Sequence, residues 1–151
     1  MALPSCDSAD ELRRRSRSRV YDSHYERRRL LMAGYVDGFV MPLPKSNVDR
    51  YREVATTAGG LWIEHGALDY KECLAEDVKV GEVTSFPRSV KLEDDETVIF
   101  AWISYESRQH RDEVNARVMN DERMKALMDP AGEIADYKRM IYGGFEVIID
   151  L

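Results

Sequence analysis

The amino-acid sequence predicts an α+β domain of the ferredoxin-like type, in which two helices pack on one face of a four-stranded antiparallel sheet. Strand-forming and helix-forming segments alternate in the order strand, helix, strand, strand, helix, strand. The chain has 151 residues, of which 44% are hydrophobic and 33% charged, as expected for one globular domain. The last two strands are apolar on both sides, which predicts that a second molecule covers the sheet.

The first strand and the first helix follow from local patterns. Residues 35–41 are rich in strand formers, and Pro42 and Pro44 predict that the strand ends there. Apolar residues at helical spacing then predict a helix that stops at Gly66. Two glycines inside this helix, residues 59–60, predict a close packing contact or a bend. The predicted apolar face consists of Val48, Tyr51, Ala55, Ala58, Trp62 and His65.

The second half of the chain supplies the remaining elements. They are strands over residues 67–74, 97–105 and 139–151, and a helix from a cap at Ser107 to Asn120. Residues 84–91 are expected to extend the hairpin between the second and third strands. Asp121 can cap a further short helix, which Pro130 and Gly132 would end. Two glycines at residues 143–144 predict a bulge or a close backbone approach in the last strand.

Both faces of the last two strands are apolar. In the third strand Val98, Phe100 and Trp102 point one way, and Ile99, Ala101 and Ile103 point the other way. In the fourth strand Ile141, Phe145, Val147 and Ile149 oppose Met140, Tyr142 and Ile148. Two helices can cover only one face, and a large exposed apolar face promotes aggregation. The sequence therefore predicts a homodimer formed through the sheet face opposite the helices.

The first 31 residues differ in charge from the rest. Residues 1–31 carry eight arginines against five acidic residues, a balance of +3, whereas residues 32–151 carry 14 basic against 23 acidic residues, a balance of −9. We expect residues 1–31 to be a flexible basic extension and residues 32–151 to be the folded domain. An N-terminal helix, sequence upstream of a start at Met32, and a nucleic-acid-binding or targeting arm are alternatives. The acidic domain itself should not bind nucleic acid.

The expected compartment is the cytoplasm. The two cysteines, Cys6 and Cys73, show no spacing that pairs them, and residues 1–10 do not have the pattern of a secretory signal. Apolar runs also fall short of the roughly 18–20 residues that a membrane helix needs, so no membrane contact is expected.

Four segments carry a family resemblance: residues 35–40, residues 72–73, residues 96–103 and, most specifically, residues 138–146, which read KRMIYGGFE. In this order and spacing they resemble the uncharacterised bacterial YbaA-like family over residues 32–151. That family is similar in fold to the dimeric α+β barrels, which include cofactor-independent monooxygenases, haem-degrading enzymes and stress-responsive proteins. The resemblance implies a dimeric barrel but no activity.

Two carboxylates are the candidate acid or base groups. Asp37 lies beside an aromatic residue on the first strand, and Glu72 lies between apolar neighbours on the second. We expect Glu72 to be at least half buried, and a buried carboxylate is either paired or has a raised pKa. The alternative is a structural pair of Glu72 or Asp37 with Arg139 or Lys138.

Other candidates are weaker. Trp102, Tyr142, Cys73 and Arg139 could line a ligand pocket, although the first three are also typical core residues. His24, His65 and His110 fall on different elements, so no metal site is predicted, and no phosphate loop, CxxC pair or zinc helix is present in the sequence. No cofactor is expected.

Two functional classes remain. One is a small-molecule binding protein or cofactor-independent enzyme, monooxygenase-like or isomerase-like, with an apolar pocket lined by Trp102, Tyr142 and Glu72. The other is a non-catalytic dimeric module with a filled core and no such pocket. The sequence slightly favours the second class, because no catalytic constellation can be assembled from it.

Overall fold

A computed structural model describes residues 34–128 and 133–151. In chain order the elements are β1 (Tyr35–Pro44), α1 (Val48–Glu64), β2 (Asp69–Leu74), α2 (Phe86–Ser89), β3 (Glu96–Tyr105), α3 (Arg108–Asn120), α4 (Glu122–Leu127) and β4 (Ile141–Glu146), with short 3-10 turns at Lys45–Asn47 and Tyr137–Arg139. The strands lie in the order β2-β3-β1-β4, and every neighbouring pair is antiparallel. The predicted α+β, ferredoxin-like class is confirmed.

The helices and the sheet enclose two apolar clusters. The first contains Met41, Leu43, Tyr51, Ala55, Ile99, Ala101, Ile134 and Ala135. The second contains Leu61, Ala67, Ile103, Tyr105, Val114, Val118 and Met124. Alternate residues of β1 and β3 supply the sheet side of both clusters, as the period of two in a strand requires. These clusters hold α1 and α3 against one face of the sheet.

Helix α1 contains the close contact that its two glycines predict. A side-chain carbon on Gly59 would lie 2.5 Å from Cδ1 of the Tyr70 ring, whereas one on Gly60 would meet nothing within 4 Å. Gly59 therefore allows α1 to approach β2 closely. Packing against the described residues does not require a glycine at position 60. The chain turns after the helix at Gly66, whose φ of +114° favours glycine.

The caps of the next two helices are confirmed. The hydroxyl of Ser107 accepts a hydrogen bond from the backbone N–H of His110 at 3.1 Å and begins α3. The carboxylate of Asp121 accepts one from the backbone N–H of Arg123 at 2.9 Å and begins α4. The predicted end of α4 at Pro130 and Gly132 lies outside the described residues. Among the described helices, none combines the length and the apolar character that crossing a bilayer requires.

Two predictions of secondary structure in the second half of the chain are wrong. Residues 84–91 do not extend the hairpin, because Ser85 caps the short helix α2 and Val90 packs against Val40 and Val98. The last strand also does not reach Leu151. It ends at Glu146, because this residue lies opposite Tyr35, where the neighbouring strand β1 begins.

The sheet face opposite α1 and α3, which we call the open face, is apolar. It includes Phe100 and Trp102 of β3 and Ile141 and Phe145 of β4, and α2 covers only part of it. Phe145 is 61% exposed. In the structure, β3 and β4 therefore carry apolar side chains on both faces of the sheet, as the sequence predicts.

Candidate functional site

A groove lies between helix α1 and the edge strand β2. Its volume is about 360 Å³. The lining residues are Val48, Tyr51, Arg52, Ala55, Thr56, Gly59, Ile63, Tyr70, Glu72, Leu74 and Ile99. We call it the Glu72 groove, because Glu72 is the one acidic residue among the described residues that line it. It forms here because, among the described residues, no strand pairs with the outer side of β2, and α1 covers the helix face of β2 only partly.

Two tyrosine hydroxyls hold the carboxylate of Glu72. Tyr51 of α1 donates to Oε2 at 2.8 Å, and Tyr70 of β2 donates to Oε1 at 2.8 Å. Glu72 is more than half buried, as the sequence predicted. Among the residues that the structure describes, no lysine or arginine forms an ion pair with it. Glu72 is therefore a carboxylate held by neutral donors.

The pKa values of the three groups follow from this arrangement. Burial raises the pKa of Glu72 above its usual value, and the hydrogen bonds from Tyr51 and Tyr70 oppose this rise. Burial and the neighbouring carboxyl raise the pKa of both tyrosines well above the usual value of a phenol. Both hydroxyls therefore stay protonated, and they remain donors throughout the physiological pH range.

The rest of the groove is mainly apolar and open to solvent. Ile63 and Leu74 are each 48% exposed at its margin. Arg52 is the one basic residue in the described part of the lining, and it donates to the carboxylate of Asp49 at 2.9 Å. The arrangement can hold a small apolar molecule and offer it one buried polar group.

The second candidate carboxylate, Asp37, lies elsewhere on the same sheet face and is 6% exposed. Its Oδ1 lies 3.6 Å from Nη1 of Arg111, and its Oδ2 accepts from Nδ2 of Asn115 at 3.4 Å. Asn115 Oδ1 in turn accepts from the hydroxyl of Tyr105 at 3.0 Å and from Nε1 of Trp62 at 3.2 Å. Burial raises the pKa of Asp37, and the charge of Arg111 opposes this rise. Asp37 therefore belongs to a buried polar network that joins β1, α1, β3 and α3.

Arg139 does not bind either candidate carboxylate. Its guanidinium donates to both carboxylate oxygens of Glu96, at 2.8 and 2.5 Å, to Asp136 at 2.8 Å and to the backbone oxygen of Lys91 at 2.9 Å. The expected pairing of Glu72 or Asp37 with Arg139 or Lys138 is thus wrong. Arg139 lies in the turn before β4, and the sheet brings this turn to the start of β3 rather than to β2.

The other predicted pocket residues also lie away from the groove. Cys73 and Trp102 lie on the open face, because their neighbours in β2 and β3 point toward the helices. Tyr142 lies on the far edge strand, where its ring stacks on that of Phe39 at 6.4 Å. Of the predicted lining set Trp102, Tyr142 and Glu72, only Glu72 lines the groove.

Sequence reasoning missed Tyr51 and Gly59 as parts of the site. Tyr51 lies on the predicted apolar face of α1, and a polar aromatic residue on such a face was the available signal. Gly59 lies eight residues later and was predicted only as a point of close packing or bending. In residues 34–128 and 133–151, no group of three or more histidine, cysteine, aspartate or glutamate side chains could hold a metal ion.

The fold and the site define a class of small α+β proteins with a ferredoxin-like sheet and a groove at its edge. The family described as "Protein of unknown function (DUF1428)" matches residues 34–135, and the chain belongs to this family. The uncharacterized protein YbaA of Escherichia coli K12 is 51% identical over 118 residues, which cover 77% of this chain and 97% of that protein. The YbaA protein of Shigella flexneri matches with the same figures. The resemblance found in the sequence is confirmed.

Solved structures of other proteins are also similar to this chain. An uncharacterized NIPSNAP domain protein from Burkholderia xenovorans aligns with a TM-score of 0.45 and 12% identity, over 74% of this chain and 91% of that one. A NIPSNAP family protein of unknown function from Agrobacterium tumefaciens aligns with a TM-score of 0.47 and 15% identity, over 75% of this chain and 86% of that one.

Proposed function

We propose that this protein binds a small, mainly apolar molecule in the Glu72 groove, with Glu72 as the polar anchor. The observation that carries the proposal is a groove of about 360 Å³ with a partly buried carboxylate in its wall. This volume lies within the range of roughly 300–1,000 Å³ that is usual for small-molecule sites. The expectation of a filled core with no cavity beside Glu72 is not met, so the ligand-binding class is the better supported of the two.

A matched pair of exposed threonines on α1 tests the proposal. Thr56 lines the groove and Thr57 does not, and each hydroxyl donates to the backbone oxygen four residues earlier. Thr56→Trp should fill the groove, whereas Thr57→Trp places the same ring on the helix outside it. The probe is N-phenyl-1-naphthylamine, a neutral dye that fluoresces in apolar surroundings, titrated into the full chain.

We expect the dye to bind the unchanged protein and Thr57→Trp with equal affinity, and Thr56→Trp to weaken binding by about tenfold or more, or roughly 1.4 kcal/mol. Equal binding by all three proteins would place the dye elsewhere, such as on the open face, and would overturn the proposal. Circular dichroism of each variant shows whether it is folded.

We further propose that the protein is a homodimer formed through the open face. The support is the exposed apolar surface of β3 and β4, which a second copy of the same face would cover. Phe145 lies on the open face, and Tyr142 lies on the opposite face of the same strand, 74% exposed. Phe145→Asp should therefore disrupt the dimer, and Tyr142→Asp should leave it intact.

Light scattering measures the assembly directly. We expect twice the chain mass of 17.4 kDa for the unchanged protein and for Tyr142→Asp, and the single chain mass for Phe145→Asp at micromolar concentration. A single chain mass for the unchanged protein would rule out the dimer.

We also propose that the protein acts in the cytoplasm, with Cys73 as a free thiol in support. Cell fractionation against a cytoplasmic marker enzyme tests this location.

A further inference from the structure

We infer that the ligand of the Glu72 groove is an organic cation, namely an amine or ammonium compound with an apolar substituent. This inference rests on the proposed function and specifies its ligand class. It follows from what the groove offers: an anion held by neutral donors, two aromatic rings and an apolar margin.

The carboxylate of Glu72 can accept more hydrogen bonds than it receives. An ionised carboxylate has about four acceptor positions on its two oxygens. The described residues fill two of them, one on each oxygen, through the hydroxyls of Tyr51 and Tyr70. Both hydroxyls are donors, so neither brings a compensating charge. A ligand with N–H groups can use the remaining acceptor positions.

The charge of the groove favours a cation over an anion or a neutral molecule. Glu72 and Arg52 are its charged lining residues, and Arg52 already pairs with Asp49. Filling the groove with an uncharged or anionic molecule would further remove water from a carboxylate that no cation of the described residues pairs with, which is unfavourable. An ammonium group replaces that water with an ion pair.

The surroundings of Glu72 also suit an organic cation rather than a hydrated metal ion. The rings of Tyr51 and Tyr70 line the groove, and aromatic faces attract alkylammonium groups. Ile63 and Leu74 offer exposed apolar surface for the substituent. At longer range, residues 32–151 carry a balance of −9, with 14 basic and 23 acidic residues, so their field should attract a cation.

Three probes of nearly equal size separate charge from apolar burial. They are 2-phenylethylamine, 2-phenylethanol and 3-phenylpropanoate, each titrated by calorimetry into the full-length protein at pH 7.5. The variants are Glu72→Gln and, as a control, Glu53→Gln, which removes one negative charge from an exposed position on α1 outside the groove.

We expect the amine to bind the unchanged protein at least about tenfold more tightly than the alcohol, a difference of roughly 1.4 kcal/mol, and the acid to bind most weakly. This preference should persist in Glu53→Gln and disappear in Glu72→Gln, while the alcohol binds all three proteins equally. Amine affinity should also fall as the pH is lowered, because protonation of Glu72 removes the negative charge.

Two kinds of result would overturn the inference, and they differ in whether the proposed function also fails. If the alcohol binds as well as the amine, the groove does not select a cation, and if Glu72→Gln keeps the preference, Glu72 is not the group that selects it. Either result overturns the inference but leaves the proposed groove function in place. If none of the three probes binds at millimolar concentration and the neutral dye also fails to bind, both the inference and the proposed function fail.

Discussion

Two carboxylates on the same face of one sheet are stabilised in different ways. Asp37, on the central strand β1, is 6% exposed and lies beside the guanidinium of Arg111 and the amide of Asn115. Glu72, on the edge strand β2, is bound by two tyrosine hydroxyls in an open groove. The first negative charge is balanced within the fold. The second is only hydrogen-bonded, so it remains available to a molecule from solution.

The comparison separates a structural carboxylate from a candidate functional one. The sequence gives both the same environment, a carboxylate between apolar residues on a strand. The neighbours across the fold distinguish them, because burial raises the pKa of both groups but, within the described part of the chain, an opposing positive charge is found at Asp37 and not at Glu72. The comparison therefore predicts a large loss of unfolding free energy when the cation beside Asp37 is removed. It predicts a small change when the charge of Glu72 is removed.

The largest effect is expected at Asp37. Arg111→Met keeps much of the apolar length of the side chain but removes the charge, which leaves a buried carboxylate without its cation. We expect the free energy of unfolding to fall by about 3 kcal/mol in a urea melt. Arg108→Met, at an exposed position on the same helix, is the control and should change it by less than about 0.5 kcal/mol. Equal, small effects of both variants would show that Arg111 does not stabilise Asp37.

A smaller effect is expected where α1 meets β2. Gly59→Ala would place a carbon 2.5 Å from the Tyr70 ring, which must then move away from its position beside Glu72. We expect a loss of about 1–3 kcal/mol in unfolding free energy together with weaker binding in the groove.

Gly60→Ala is the matched control for this change, because no atom of the residues that the structure describes lies within 4 Å of the added carbon. Since alanine forms helix more readily than glycine, it should stabilise the protein by about 0.5–1 kcal/mol. Opposite signs for adjacent glycines in one helix would confirm the close contact, and equal signs would contradict it.

The smallest mutational effect is expected at Glu72 itself. Among the described residues, no cation pairs with Glu72, so Glu72→Gln leaves none of them unpaired. The unfolding free energy at pH 7 should therefore be unchanged or higher by up to about 1 kcal/mol. A loss of several kcal/mol would instead indicate a structural pair.

The pH dependence of the same variant has a definite sign. The folded-state pKa of Glu72 is raised, so the folded protein holds this proton more tightly than the unfolded chain does. The resulting stability is present below the unfolded value of about 4.3 and is lost as the pH rises through the raised folded value. Relative to Glu72→Gln, the unchanged protein should therefore lose stability on going from acid to neutral pH. A gain in relative stability between acid and neutral pH would contradict a raised pKa of Glu72 in the folded protein.

Removal of residues 1–31 should have the least effect of all. If these residues are an extension, the remaining chain should keep its groove, its dimer mass and its melting temperature within a few degrees. A decrease of about 10 °C in melting temperature, or loss of solubility, would show that they stabilise the domain.

The fold was predictable from local patterns, and the site was predictable only in part. Strand and helix periodicity predict the order of elements, and Ser107 and Asp121 act as the predicted caps. Burial of Glu72 also follows from its apolar neighbours. Its partner Tyr51 does not, because the contact spans 21 residues and depends on how closely α1 approaches β2. The partners of Arg139 do not follow from the sequence either, because its charge alone does not indicate which strand will lie beside the turn that carries it.

The contacts of Arg139 also have a consequence for the motion of β4. This edge strand is fastened at its beginning, where one guanidinium binds Glu96, Asp136 and the backbone of Lys91. At the other end of β4, the last pair with β1 is Glu146 opposite Tyr35. Just beyond it, the backbone N–H of Val147 donates a hydrogen bond to the backbone oxygen of Gly34. Because a single backbone hydrogen bond of the described residues holds this end and several contacts of a charged guanidinium hold the beginning, local opening should start at Glu146 and proceed toward Ile141. Amide hydrogen exchange along β4 should slow in that same direction.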